Sequence, residues 1–339
     1  MIQDRLETGK LPVTILRRLL ERYSTAHDRV ILGPRIGEDV AALDMGDRAL
    51  VITTDPITFA TEEIGYYSVM VNANDMATSG AVPQWFTATI LLPENTTTRK
   101  SAEDIFEQLH RACEELSVCL IGGHTEITPN LDRPVVVGQM LGEVDKDRLI
   151  ATSGAQPGDT ILLTKALCVE GTSIIAREKE TDLRAHNVPG EVIEKARNFL
   201  FDPGISVVSE ARLACDTVKV HSMHDITEGG LANGLHELAM AAGVKVVIDR
   251  DRIPVYRESE ILCRALGLDP LGVIASGSLL VTLAPDEALH LTETARHRGL
   301  SFTVIGRVEK HAAPAVLFAG DGENEPVPYF QRDEIVKIF

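Results

Sequence analysis

The sequence predicts a two-domain α/β protein, on three observations. At 339 residues and 44% hydrophobic content, the chain can bury a sizeable core and exceeds one typical domain. Strand-like and helix-like segments alternate, with acids and glycines gathered at element ends. Between the halves, Ala151 to Asp159 (ATSGAQPGD) is rich in small and turn residues and contains the strong turn Pro157-Gly158-Asp159. Domains of 1–150 and 151–339 are therefore expected.

The first half is organised around Gly33 to Asp55. A loop, Ile36-Gly37-Glu38-Asp39, precedes the apolar segment Val40 to Leu43. A turn at Asp44 to Asp47 leads into the strand-like run Ala49 to Thr53, which ends at Thr54-Asp55 before Pro56. Glu38, Asp39 and Asp55 thus stand at the edges of an apolar hairpin. Hard cations such as Mg²⁺ take oxygen ligands and bridge one or two carboxylates to a phosphate. A metal–phosphate site is one reading of these acids, and solvated turn residues are the other.

Around this stretch the elements follow in order. Residues 12–23 form an amphipathic helix with Ile15, Leu16, Leu19, Leu20 and Tyr23 on one stripe. A second helix runs from about Ile64 to Ser79 and is broken by Gly80. Its centre crowds Asn72, Asn74 and Asp75 together, although Asn and Asp are poor helix-interior residues. Ligand binding and a locally irregular, solvated helix both account for them. Trp85 to Leu92 reads as a buried strand, 101–117 as an amphipathic helix, and Val118 to Ile121 as a short strand. That strand opens on a loop, Gly122-Gly123-His124-Thr125-Glu126, where glycines let backbone approach a ligand. Arg133 to Val144 is again strand.

The second half begins with strand Thr160 to Thr164. Helices follow near 172–179, 190–200 and 205–215, then strand Lys219 to His224. Asp225-Ile226-Thr227-Glu228-Gly229-Gly230 comes next, directly before a helix over 231–242. Glycines opening a helix expose N–H groups that suit phosphate; a helix capped by Thr227 is the alternative. Strand 244–249, helix 257–266, strand 278–284, helix 286–298 and strand 301–309 complete the half, and 320–332 reads as a loop-rich tail.

Composition narrows the partners. The formal charge of −17 repels nucleic acid backbones, and 4% aromatic content is too low for a base-stacking surface. The five cysteines form no C-x-x-C pair, against a disulfide framework or thiolate zinc site. The N-terminal residues carry no signal-peptide core and no segment reaches the ~18 apolar residues of a membrane helix, so a cytoplasmic protein without membrane contact is expected. Gly9-Lys10 is not a phosphate-binding P-loop, since the upstream glycine and following Ser/Thr are missing. His221-x-x-His224-Asp225 could be drawn as a transition-metal site, but that spacing on a strand turns the two imidazoles to opposite faces.

The ordered set Gly37-Glu38-Asp39, Thr53-Thr54-Asp55, Asn74-Asp75-Met76-Ala77, Gly122 to Glu126, Gly158-Asp159 and Asp225 to Ala232 resembles the AIR synthase superfamily, or PurM-like fold. Val169-Glu170-Gly171-Thr172 looks like the branch of HypE-type hydrogenase maturation factors and AIR synthase-related proteins. The resemblance implies an N-terminal α/β domain forming a barrel at a homodimer interface and a C-terminal α/β domain. It implies an enzyme that uses ATP and Mg²⁺ to transfer a phosphoryl group to an amide-type oxygen, on a small molecule or a partner protein. On that model Asp39, Asp55, Asp75 and Asp225 organise Mg²⁺, with Asp39, Asp75 and Asp225 catalytic. Gly37, Glu38, Thr54, Asn74, Gly122, Gly123, His124, Thr125, Glu126, Thr227, Glu228, Gly229 and Gly230 hold the nucleotide. A nucleotide-binding scaffold without turnover and a cyclase like aminoimidazole ribonucleotide synthase are the alternatives. Two departures stand out. HypE proteins use a C-terminal cysteine, whereas this sequence ends Lys337-Ile338-Phe339 with its last cysteine at Cys263, so their usual reaction is not expected. The first motif also has Gly-Glu-Asp where many relatives have Gly-Asp-Asp.

Overall fold

A computed structural model of the chain describes Leu6, residues 8–320 and residues 324–339. The chain divides into two compact units. The smaller is Asp28–Gly33 with Asp39–Leu149; the larger takes Ile150–Phe339, the chain up to His27, and Pro34–Glu38. The N-terminal segment and the Gly37-Glu38 loop therefore go with the C-terminal unit, where the sequence boundary had put them in the first domain. The amphipathic helix α1 (Val13–Tyr23) lies in this segment, with Pro12 at its N-cap.

The smaller unit is one mixed sheet with two helices. Its strands are β1 (Val30–Leu32), β2 (Ala41–Asp44), β3 (Arg48–Ile57), β4 (Val82–Pro93), β5 (Cys119–Thr128) and β6 (Val135–Asp145), in the order β1-β2-β3-β6-β4-β5. Helix α2 (Ile64–Thr78) packs on β3, β4 and β6; α3 (Arg99–Leu116) links β4 to its parallel neighbour β5. Helix α3 shows the periodicity its sequence predicts, burying Ile105, Leu109, Ala112 and Cys113 behind a Thr98–Ser101 capping box.

Helix α2 is different, because all fifteen of its residues are buried. Residues apolar all round belong inside, and Tyr67, Met70 and Met76 each contribute roughly 1.5–3 kcal/mol by leaving water. The same burial takes Asn72, Asn74 and Asp75 inside, which overturns the reading of an irregular, solvated helix centre.

A second correction concerns Gly122 to Glu126. These residues are strand, not loop, because β4 pairs with β5 from Trp85–Cys119 to Pro93–Thr128, with one register shift at Ile121 just before Gly122. A Cβ on Gly123 would lie 2.1 Å from the Ala88 carbonyl, so glycine here permits close strand approach.

The larger unit is a mixed sheet flanked by helices. In chain order its elements are β7 (Thr160–Thr164), α4 (Val169–Glu178), α5 (Glu180–Ala185), α6 (Gly190–Arg197), α7 (Val208–Thr217), β8 (Val220–Asp225), α8 (Gly230–Ala242), β9 (Lys245–Ile248), α9 (Arg257–Leu266), β10 (Leu279–Leu283), α10 (Pro285–His297), β11 (Phe302–Glu309), β12 (Ala315–Phe318) and β13 (Glu325–Pro326). Sheet order is β13-β12-β9-β11-β7-β10-β8. The loop-rich reading of 320–332 omitted β13, which pairs with β12, and the preceding strand β12 itself runs parallel to β9. Among the described residues no helix is long and apolar enough to cross a membrane.

Candidate functional site

In the smaller unit the strand period places Thr53 and Asp55 on the side of β3 that alternates inward with Ala49, Val51 and Ile57. Helix α2 packs against this strand. Asn72 and Asp75, three residues apart, share one helix face and meet it. The Thr53 hydroxyl lies 2.6 Å from Asp75 Oδ2 and 3.2 Å from the Asp39 carbonyl oxygen. Its single proton goes to the carboxylate, the stronger acceptor and the shorter contact. One turn earlier, Asn72 Oδ1 accepts from the Asp55 N–H at 3.0 Å, and Asn72 Nδ2 donates to the Asp55 carbonyl at 3.3 Å. Thr53 and Asn72 thus bring the Asp75 carboxylate and the backbones of Asp39 and Asp55 to the part of β3 where β2 stops pairing. Asp75 is 5% exposed.

Not every residue predicted for this site joins it. Thr54 falls on the opposite side of β3 from Asp55, where its hydroxyl donates to the Gly138 carbonyl at 2.8 Å. Asn74 is fully buried but stands two residues, about 200°, around the helix from Asn72. His124 and Glu126 share one face of β5 and approach to 3.2 Å, both largely exposed. Beside them a groove of about 390 Å³ runs between β5 and α3, lined by Ile90, Phe106, Leu109, Leu120 and Ile121 with Gly122 to Thr125.

Glu38 has a different employment from the one its sequence suggested. Its two carboxylate oxygens accept from the backbone N–H groups of Thr152 (2.9 Å) and Ser153 (3.1 Å), capping a short 3₁₀ turn. The longer glutamate arm ties the Pro34–Glu38 segment to residues 152–153. Gly37 makes this possible: its φ is +81°, and a Cβ there would lie 2.6 Å from the Glu237 carbonyl oxygen on α8.

In the larger unit Asp225 ends β8 and is buried. The following turn leads into α8 with Gly229 at the N-cap in the left-handed region (φ +81°), so the expected Thr227 cap is not formed. Thr227 Oγ1 instead accepts from Lys10 Nζ at 2.9 Å, and Lys10 also pairs with Glu228 at 3.3 Å. The glycine N–H groups, read as a phosphate cradle, have protein acceptors. Gly229 donates to Asp333 Oδ2 at 2.7 Å, and Gly230 donates to the Thr227 carbonyl. Burial lifts the Asp333 carboxyl to about 6, although the N–H groups of Gly229 and Ile335 pull it back. Close by in charge terms, Glu170 at the start of α4 is pushed up to about 8 by burial, with Glu228 and Asp333 adding to the rise. At neutral pH Glu170 is therefore mostly a neutral acid, a signal absent from the sequence. Burial also raises Glu237, but Lys10 and His224 outweigh it and hold that carboxyl at about 2.

The imidazoles of His221 and His224 go to separate carboxylates, Asp159 (2.8 Å) and Glu237 (3.1 Å), which removes the transition-metal reading. Among the described residues no group of three or more His, Cys, Asp or Glu side chains forms a ready-made metal cage. The donor set of the smaller unit is carboxylate oxygen, the kind a hard cation takes, and Mg²⁺ needs only one or two such ligands when a phosphate supplies the rest.

Comparison with known proteins gives two matching family models. The N-terminal domain of AIR synthase-related proteins matches residues 37–144, and the C-terminal domain matches 156–317. Carbamoyl dehydratase HypE of Cupriavidus necator is 31% identical over 75% of this chain and 71% of its own length. A putative hydrogenase expression/formation protein of Methanocaldococcus jannaschii is 27% identical (83% and 82%), and thiamine-monophosphate kinase of Pyrococcus horikoshii 29% (81% and 83%). Among solved structures, hydrogenase maturation protein HypE superposes with a TM-score of 0.73 at 23% identity, covering 91% of this chain and 97% of that one. HypE in complex with ATP gives 0.67 at 22% identity (93% and 95%), and HypE in a HypE–HypF complex 0.71 at 19% (93% and 99%). These structures carry the same two-domain PurM-like α/β fold. By name these sequence relatives include a dehydratase and a kinase.

Proposed function

Since the chain belongs to the AIR synthase-related family, we propose that it is an ATP- and Mg²⁺-dependent enzyme. In this reading it transfers a phosphoryl group to an amide-type oxygen of a small molecule or a partner protein, as a relative of the hydrogenase maturation factors. The observation that carries the reading is the contact of α2 with β3, where Thr53 bonds the Asp75 carboxylate and the Asp39 carbonyl and Asn72 bonds the Asp55 backbone. Polar residues in a fully buried helix are costly, and here they serve to place carboxylates.

Asp39, Asp55 and Asp75 would hold Mg²⁺. Bound Mg²⁺ supplies charge neutralisation for the transferring phosphoryl group. The chain's own residues do the positioning. Thr53 holds Asp75 by a short charge-assisted hydrogen bond that fixes the orientation of its carboxylate. No acid–base relay is needed, because phosphoryl transfer is catalysed chiefly by placement and electrostatics. The same reading takes a second copy of the chain as partner. Strand β5 is the sheet's edge, exposed along nearly all its length, and carries exposed Leu120, Ile121 and Ile127. An open apolar edge of this kind is completed by pairing with another strand. Sedimentation should show a dimer that Ile121→Lys dissociates; a wild-type monomer would remove that part.

The activity is tested by ADP release from ATP in the presence of candidate amide or carbamoyl acceptors. Mg²⁺-dependent release that Asp75→Asn abolishes supports the reading. Release unchanged by Asp75→Asn, or by chelation of the metal, would refute it.

A further inference from the structure

The pairing of β2 with β3 covers Ala41–Asp44 against Ala49–Ile52 only, whereas β3 continues to Ile57. Past Ile52, β3 keeps its partner β6 on one side and loses β2 on the other. Asp55 lies in this half-paired stretch. Its backbone N–H and C=O are both met by one side chain, Asn72, whose carboxamide accepts from the N–H (3.0 Å) and donates to the C=O (3.3 Å). That two-way exchange is what an antiparallel strand residue would provide. The amide is itself anchored, since Nδ2 also donates to the Ser68 carbonyl at 2.8 Å one turn earlier in α2. The opposite strand leaves room for it: Gly138 is paired with Asp55, and a Cβ there would lie 2.4 Å from Asn72 Nδ2. Asn72 is fully buried, so this amide is held in one orientation.

We propose that Asn72 is a positioning residue for the carboxylates that would hold Mg²⁺. Its carboxamide replaces the missing strand, fixes the backbone of Asp55, and so presents the Asp55 carboxylate on the same side as Asp75. Without it, Asp55 is paired with β6 on one side only, which loosens the backbone that aims the carboxylate. Asn72 touches neither metal nor nucleotide in this scheme; it acts through Asp55. The inference rests on the reading of Asp39, Asp55 and Asp75 as a Mg²⁺–ATP site.

The test is calorimetric titration of the full chain with adenylyl imidodiphosphate, in Mg²⁺ and in excess chelator, alongside thermal unfolding. Two variants are compared with wild type: Asn72→Leu, which keeps the branched outline and removes the hydrogen bonds, and Asn72→Ala, should the larger leucine prevent folding. Loss of an outer-shell partner typically weakens metal affinity by about 10–100-fold. The affinity measured in Mg²⁺ should fall by that factor while the melting temperature stays near that of wild type. An affinity in Mg²⁺ equal to wild type would overturn the inference. So would a fall of that affinity in step with the melting temperature, which is what a merely structural asparagine produces. Wild-type binding that ignores Mg²⁺ would instead bring down the site itself, and the inference with it.

Discussion

Replacing Glu170 by Gln should stabilise the larger unit at alkaline pH and leave it nearly unchanged in acid. Glu170 is 4% exposed, its Oε2 accepts from the Ser276 N–H at 3.3 Å, and burial lifts its carboxyl from 4.5 to about 8. In the unfolded chain the group ionises near 4.5. Between those values the folded state holds a proton that the unfolded state has lost, so stability falls as pH rises through the window. Below 4.5 both states are protonated and there is no penalty; above 8 the penalty is complete. A rise of this size corresponds to about 5 kcal/mol of lost stability. Glutamine keeps the acceptor for Ser276 and cannot ionise. For a unit of this size, that difference is worth roughly 10–20 °C in melting temperature. Asp333, raised from 3.8 to about 6, contributes its own slope at lower pH in both proteins, so the interval from 6 to 8 isolates Glu170. The assay is a series of melting curves from pH 5 to 9 for both proteins. A gap between the curves that is small at pH 5 and widens up to about pH 8, with the variant higher, supports the reasoning. Parallel curves would refute it, because they would mean that Glu170 ionises normally in the folded protein.

Two other substitutions probe the contacts around the candidate site. Thr53→Val removes the 2.6 Å hydrogen bond to Asp75 at constant shape, and should cost about 2 kcal/mol in urea unfolding, recovered largely by Thr53→Ser; a valine variant as stable as wild type contradicts the contact. Glu38→Asp shortens the arm that reaches Thr152 and Ser153, and should speed hydrogen exchange at those two amides by roughly tenfold or more, as loss of about 1.5–3 kcal/mol requires; unchanged exchange would show that the cap is not formed.

What could be read from the sequence was what is local. The amphipathic patterns over 12–23 and 101–117 have helical period, and the bounds of α1, α3 and α9 fall within a few residues of expectation. The proposal that Asp39, Asp55 and Asp75 act together comes from element ends and the family's ordered motifs, and from the contact of Thr53 with Asp75. The roles that went unseen are all set by partners far away in the chain. Glu38 reads as a ligand until Thr152 and Ser153, 114 and 115 residues on, take both its oxygens. The Gly229 N–H reads as a phosphate donor until Asp333, 104 residues on, accepts it. Asn72 looks misplaced in a helix because the strand edge it completes lies 17 residues earlier. Gly122-Gly123 signals a loop by composition alone, and the ladder to β4 overrides that signal.

The central claim is that carboxylates of the smaller unit build a metal-dependent nucleotide site. Calorimetric titration of wild type and Asp75→Asn with a non-hydrolysable ATP analogue, each with and without Mg²⁺, tests it most directly. The account predicts tight binding by wild type only with Mg²⁺, and loss of that dependence in a folded Asp75→Asn protein. Binding by the variant with unchanged affinity and metal dependence, or no binding by wild type under either condition, would contradict it.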